Sequence, residues 1–368
     1  MARKLKSDKL LFMATLMLVL ASVVMVYSAS AAMAEVRFGS PYLFLTKQAL
    51  WAALGVALMS LVMRVDYRVW RQPAFIWGAL GLALITLVAV LFRTPINGTR
   101  RWFAIGGFGI QPSELAKLAV IFFTAALLER RMKQVNDIKE TLIPLGGIVG
   151  LLTGLIVLEP DFGTSVCLVL TAGLMVFSAG LSWRYVAVTA AAGVAAGSAL
   201  VVISPYRIRR VLSFLNPEAD PQGSGFQLLQ SLIAVGNGGV TGQGLMAGVQ
   251  KLFYLPEPHT DFIYAVIAEE LGLIGATLTL VAFVVITWRG LRVAGRAPDQ
   301  FGSFLAIGLT GMVAVQALIN MSVVLGLVPT KGIPLPFVSA GGSSLLINLV
   351  SMGVLLNVSQ HASGVHER

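Results

Sequence analysis

The sequence predicts an all-α, polytopic membrane protein with ten transmembrane helices and both termini in the cytoplasm. Three observations lead there. Of 368 residues, 57% are hydrophobic and only 12% are charged, against roughly 45–50% and 25% in a soluble domain, so the chain lacks the polar surface that a soluble fold of this length needs. Apolar runs recur from Leu10 to Val358, and about 20 such residues cross the roughly 30 Å of a bilayer's hydrocarbon. Lysine and arginine gather between alternate runs, the bias that orients membrane proteins.

The first span, 10–34, follows Arg3, Lys4, Lys6 and Lys9. It is longer than the roughly 7–15-residue core of a secretory signal and is expected to stay as an uncleaved helix. The second, 44–63, ends at the basic group Arg64, Arg68 and Arg71, from which the third, 74–92, returns. The fourth, 113–129, ends at Arg130, Arg131, Lys133 and Lys139, and the fifth follows over 141–158. The break at 159–161 precedes the sixth span, 162–180, and Arg184 opens the seventh, 184–204. After the long segment 205–261 come 262–287, which runs towards Arg289, Arg292 and Arg296, then 302–327 and 337–358, with Arg368 at the end. Placing these basic clusters inside leaves 93–112, 159–161, 205–261 and 328–336 outside, segments that together are dense in Gly, Pro, Trp, Asn and carboxylates. A loop of more than 50 residues in a compact bundle is usually functional or disordered. The apolar stretches Leu228–Val235 and Leu252–Leu255 favour packing or interfacial dipping for this one. The chain reads as one membrane domain, with its function on the outer face.

Several classes drop out. The single cysteine, Cys167, excludes disulfides and cysteine metal clusters. Three histidines, two of them in the C-terminal tail, exclude a His-rich metal site. The net charge of +10 reflects loops held at anionic headgroups rather than a nucleic-acid partner. There is no P-loop and no H-E-x-x-H, so neither nucleotide hydrolysis nor zinc proteolysis is supported. Gly146, Gly150 and Gly154 form a small-xxx-small row, which most often means close helix packing.

Ionisable residues in or beside the spans each need a reason, because one at mid-depth costs about 2.5–3.5 kcal/mol on insertion scales. Glu114 and Lys117, three apart on one helix face, read either as a structural ion pair or as a lysine that holds an anionic substrate group. Asp161, beside Glu159 and Pro160, reads as a cation ligand or as the cap of the following helix. Glu269 and Glu270 lie inside the eighth span; one of them is expected to bond a neighbouring helix, and neither to catalyse. The segment Leu255–Phe262 brings Glu257, His259 and Asp261 to the outer mouth of that span, with Asp261 or Thr260 as its N-cap in the structural reading. Arg100, Arg101 and Trp102, with Arg207, Arg209 and Arg210, run against the usual topological bias. A pyrophosphate lipid would explain outward arginines, since guanidinium forks match phosphate oxygens.

The stretches Asn97–Lys117, Glu159–Thr164, Tyr206–Pro217, Gly225–Gly248, Leu255–Leu271 and Val328–Ser344 together resemble the SEDS family of bacterial cell-wall membrane proteins (shape, elongation, division and sporulation). The likeness covers nearly the whole chain in order. Thr330-Lys331-Gly332 and the Pro-His-Thr-Asp context lean to the division branch over the elongation branch. Ala340 departs from the family, which commonly has tyrosine there. The resemblance implies a peptidoglycan glycosyltransferase that polymerises lipid II outside the cytoplasmic membrane and releases undecaprenyl pyrophosphate. It implies Asp261 as the essential aspartate and Trp102 as an important tryptophan. The residues expected at the substrate are Trp102, Arg101, Lys117, Glu114, Arg207, Arg210, His259, Lys331 and Ser343. Mg²⁺ or Mn²⁺ is the expected ion, at Asp261 and Asp161, with no nucleotide, haem or zinc. Implied partners are a class B penicillin-binding protein that supplies transpeptidation and other division proteins. A lipid II flippase and a non-catalytic division scaffold are the rival readings.

Overall fold

A computed structural model of the chain describes residues 7–95, 99–105, 108–223 and 225–362, the side chains of Ala104, Ile105, Phe108 and Tyr206 excepted. Arg3, Lys4, Lys6, Asn97, Gly98 and Arg368, which figure in the sequence expectations, lie outside the described residues. The fold is helical and multi-pass. In chain order its helices are α1 (Lys9–Phe38), α2 (Leu43–Val62), α3 (Pro73–Leu91), α4 (Pro112–Arg130), α5 (Ile143–Leu158), α6 (Phe162–Ser178), α7 (Trp183–Ile203), α8 (Pro205–Leu215), α9 (Phe226–Gly238), α10 (Ile263–Gly295), α11 (Gln300–Val324) and α12 (Gly342–Ala362). Strands β1 (Phe103–Ile105) and β2 (Phe108–Ile110) form an antiparallel hairpin before α4. Eight of the helical stretches are both long and apolar enough to cross a membrane. The others at predicted spans are α6, at 17 residues, and α4, which carries Glu114, Lys117, Glu129 and Arg130.

Helix starts follow local chemistry. Asp8 caps α1 by accepting from Leu11 N at 3.1 Å, and Asp299 caps α11 by accepting from Gly302 N at 2.7 Å. Proline opens α3, α4 and α8, where its missing N–H leaves no helix bond unmade. The core is built on α4, α11 and α12, each mostly buried. At the opposite extreme α7 has no buried residue and turns its apolar surface outward.

Two ends of the bundle differ in chemistry. At the basic end Arg289 bonds Asp8 (2.8 Å from Nε), Tyr67 donates to Asp299 (2.6 Å), Arg71 pairs with Glu129 (2.9 Å) and Asn136 accepts from Ser182 N (2.7 Å). The candidate residues named from the sequence gather at the other end, with the hairpin. Depth can be read from α1 and α10, which run antiparallel. Twenty residues of α1 separate Asp8 from Ser28, and nineteen of α10 separate Arg289 from Glu270, while Ser28 bonds Glu270 at 2.7 Å. At 1.5 Å per residue, that contact lies about 30 Å along the bundle from the basic end. Glu269 and Glu270, placed inside the eighth span by sequence, are fully buried within the protein there.

Three expectations change. The segment 205–261 is no simple loop: it holds α8 and α9, and α9 buries Leu228, Ser231, Ala234 and Gly238. The last span begins at Gly342, not 337, because 328–341 folds over the bundle end as irregular chain. The Gly146, Gly150 and Gly154 row packs against nothing; a Cβ at each would meet open space.

Candidate functional site

The hairpin aims the residues before it. Trp102 lies against Gly109, where a Cβ would come within 3.1 Å of its ring, so the indole is seated on the hairpin. Arg101 reaches across to the α5–α6 break. Its Nε donates to Glu159 O at 3.0 Å, a second nitrogen donates to Pro160 O, and NH1 stands 4.0 Å from Asp161 Oδ1. Asp161 caps α6 by accepting from Thr164 N at 3.1 Å, and its Oδ2 accepts from Thr164 Oγ1 and Gln111 Nε2, both at 2.8 Å. Gln111 N donates in turn to Ser343 Oγ at 3.1 Å. Ser343 is thus buried as a brace between α12 and the hairpin. Beside it opens an apolar cleft of roughly 270 Å³, lined in part by Trp51, Phe103, Ile110, Leu115, Leu346 and Ile347.

Helix α8 is amphipathic. Leu212 and Leu215 are exposed, while Arg207 and Arg210, three apart, turn towards the break. Arg210 donates to Thr330 O at 3.0 Å. Lys331 follows, its Nζ 4.1 Å from the centre of the Phe162 ring, with the Arg207 guanidinium 5.8 Å from the same ring. Burial and the neighbouring Arg210 and Arg207 charges lower the Lys331 pKa to about 8.

Asp261 stands in the same cluster on a heavily braced backbone. Three consecutive carbonyls are held: His259 O accepts from Ala340 N at 2.9 Å, Thr260 O from Ser339 Oγ at 2.5 Å, and Asp261 O from Asn320 Nδ2 at 2.8 Å. Asn320 also donates to Ile333 O at 2.7 Å. The N-cap of α10 is Phe262, with no side-chain cap bond, so neither Asp261 nor Thr260 serves as the cap that the sequence allowed. Gly332 packs so closely that a Cβ there would be 2.7 Å from Asp261 Oδ2. Burial, then the Glu257 and Asp161 charges, raise the Asp261 pKa to about 7 against the opposing pull of Arg101 and Arg210. Burial raises Glu159 to about 8.

The remaining sequence candidates lie deeper. Lys117 and Glu114 pair at 3.0 Å, and Lys117 donates to Gln316 Oε1 at 2.7 Å. Gln316 Nε2 then donates to Pro334 O at 2.9 Å, so this buried group supports the 328–341 segment from below. His259 is buried against the Phe44 ring, 4.5 Å between centres, and burial lowers its pKa; it is a neutral wall residue at pH 7. Gln111, Gln316, Asn320 and Phe162 were not singled out from the sequence. Neutral amides and a lone phenylalanine carry no charge pattern or motif chemistry that would mark them.

Asp161 already commits both oxygens to its cap and to Gln111, and a cation there would displace those bonds. Among the described residues no three His, Cys, Asp or Glu side chains are grouped to hold an ion. A Mg²⁺-type ion needs only one or two carboxylates when substrate phosphates complete its shell. Asp261, whose carboxylate makes no hydrogen bond among the described residues, fits that demand.

Residues 8–364 match the family described as Cell cycle protein, that of FtsW, RodA and SpoVE. The chain is 45% identical to stage V sporulation protein E of Bacillus subtilis, over 98% of this chain and 99% of that one. It is 43% identical to the probable peptidoglycan glycosyltransferase FtsW of Geobacter metallireducens, over 93% and 92%. Among solved structures it resembles a chain from a study of how a peptidoglycan synthase complex coordinates polymerization and crosslinking. There the TM-score is 0.80 at 31% identity, covering 97% of this chain and 99% of that one. It also resembles Thermus thermophilus rod shape determining protein RodA, with a TM-score of 0.71 at 27% identity over 96% and 97%. With a family match across nearly its whole length and relatives above 40% identity from end to end, the chain belongs to the FtsW/RodA/SpoVE family of cell cycle proteins.

Proposed function

We propose that the protein is a peptidoglycan glycosyltransferase that polymerises lipid II at the outer face of the cytoplasmic membrane. The observation that carries this reading is a carboxylate with no hydrogen bond of its own among the described residues, Asp261, acted on by the Arg101 and Arg210 charges, with Arg207 and Lys331 gathered at Phe162 beside them. The acceptor sugar hydroxyl gives its proton to Asp261 as its oxygen bonds the donor's anomeric carbon. The bond from that carbon to pyrophosphate breaks, and undecaprenyl pyrophosphate leaves as an anion held by the cations. A leaving group this good needs no general acid, unlike the carboxylate pair of glycoside hydrolysis. No nucleotide enters, because the lipid pyrophosphate carries the driving force. Mg²⁺ or Mn²⁺, bound through Asp261 and substrate phosphate, would supply charge neutralisation. The apolar cleft beside Ser343 suits a polyprenyl tail at membrane level, while Lys117, Glu114, His259 and Ser343 position the site rather than lead the chemistry.

Ten membrane crossings, cytoplasmic termini and a single membrane domain complete the reading; the gathering of basic loops at the end opposite Asp261 supports that orientation. Identity of 43% over nearly the whole chain to a probable peptidoglycan glycosyltransferase FtsW supports a division role at the septum. The synthase-complex relative supports a class B penicillin-binding protein as partner, alongside other division proteins. The test is polymerisation of purified lipid II by the full chain with that partner. Wild type should make glycan strands and Asp261→Asn should make them about 10²–10⁴-fold more slowly. Strand formation by the variant at the wild-type rate would remove Asp261 as base. Lipid II transport without polymerisation by wild type would establish a flippase instead, and neither activity would leave a scaffold.

A further inference from the structure

Helix α10 is interrupted at Gly272, whose φ of 64° and ψ of −165° are not helical. In a continuous helix Leu273 N and Ile274 N would donate to Glu269 O and Glu270 O. They donate instead to Gly239 O at 2.9 Å and Val240 O at 3.2 Å, and the two vacated carbonyls accept from Gln243 N and Gly244 N, both at 3.0 Å. The stretch 239–244 is thereby spliced into the helix. The fit leaves no space for side chains: a Cβ at Gly272 would stand 2.3 Å from Gly242 N.

The side chains of the same two glutamates hold the next part of the segment. Glu269 Oε1 accepts from Val249 N at 2.9 Å and Gln250 N at 3.1 Å. Glu270 Oε2 accepts from Met246 N at 3.0 Å, and both its oxygens accept from Ser28 Oγ of α1. The Lys251 ammonium pairs with Glu270 and donates to Ser28 Oγ at 2.9 Å. All three ionised groups are buried, with exposures of 0, 0 and 6%. Burial of two carboxylates and one ammonium is unfavourable unless each is bonded; besides Ser28 and the Lys251–Glu270 pair itself, the donors are backbone N–H groups of one segment, which ends at Asp261. That segment therefore has two attachments, this one and the three braced carbonyls at His259–Asp261.

We propose that Glu269, Glu270 and Lys251 are positioning residues for Asp261: they fix the segment 243–255 to α10 and α1, and so set where the Asp261 carboxylate stands. The inference rests on the reading of Asp261 as the base. It separates Glu269 by bond type, since glutamine keeps an acceptor oxygen for Val249 and Gln250 and alanine does not.

The experiment takes the full chain in nanodiscs with its partner, as wild type, Glu269→Ala, Glu269→Gln and the paired Lys251→Met/Glu270→Met. Amide hydrogen exchange of 243–262 is measured beside kcat and KM on lipid II. Glu269→Ala should speed exchange within 245–255 and lower kcat by about 100-fold, the scale of a 1 Å misplacement, with KM nearly unchanged. Glu269→Gln should restore both. The paired variant, which removes both charges at near-constant volume, should behave like Glu269→Ala and serves if that variant does not fold. Equal losses in the alanine and glutamine variants would overturn the inference, and so would faster exchange with unchanged kcat. Absence of polymerisation by wild type would defeat the enzymatic reading instead, while the exchange arm would still report on the splice.

Discussion

At the scale of single residues the proposed chemistry depends on two groups whose protonation is set by their surroundings. As the proposed base Asp261 must be ionised to accept a proton, and its pKa is raised to about 7; as a proposed phosphate ligand Lys331 must be charged, and its pKa is lowered to about 8. Polymerisation kcat/KM, which reports the free enzyme's groups, should rise with pH through about 7 and fall above about 8. A profile flat from pH 6 to 9 would sink both assignments. Loss of the base in Asp261→Asn should cost about 10²–10⁴-fold in kcat. Phe162 acts on the other limb: its ring lies under Lys331 and beside Arg207, offsetting their repulsion by about 1 kcal/mol. Phe162→Leu should therefore move the alkaline limb down by about 0.5–1 pH unit, while Phe162→Tyr should leave it in place.

Between secondary-structure elements, the site is held by neutral side chains that join segments far apart in sequence. Asn320 of α11 ties Asp261 O to Ile333 O. Asn320→Ala should destabilise the protein by about 1–3 kcal/mol, the cost of buried acceptors left unmet, and lower kcat with it; thermal unfolding and turnover on one preparation would check this. Legibility in the sequence divides along the same line. Long apolar runs and charged gaps marked most membrane helices to within a few residues, because hydropathy alone decides insertion. Helices α8 and α9 stayed hidden in a supposed loop, being short at 11 and 13 residues and dependent on distant partners. The charged members of the site, Asp261, Arg101, Arg207 and Arg210, stood out by chemistry that lipid does not tolerate. Their amide supports did not, and Lys117, Glu114 and Ser343 proved to lie beneath the cluster.

For the whole molecule the question is which end faces out. Cys167 is the sole cysteine and is buried, so a single introduced thiol can be followed against a silent background. A cysteine at Glu257 should react with a membrane-impermeant maleimide on intact cells, and one at Arg296 only after permeabilisation. The reverse pattern would invert the topology. The bundle that carries this asymmetry is mostly buried at α4, α11 and α12 and exposed at α7, which has no buried residue yet leads directly into the helix that bears Arg207 and Arg210.

The backbone bond at Ala340 bears on substitution at that position. His259 O is held there by the main-chain N–H of residue 340, a donor that nineteen of the twenty amino acids possess. The methyl group is only partly enclosed and makes no bond of its own. Any substitution that keeps the N–H keeps this bond, and proline, which lacks it, would remove it. Alanine at this position, where the family resemblance leads one to expect tyrosine, therefore leaves the bond to His259 O in place.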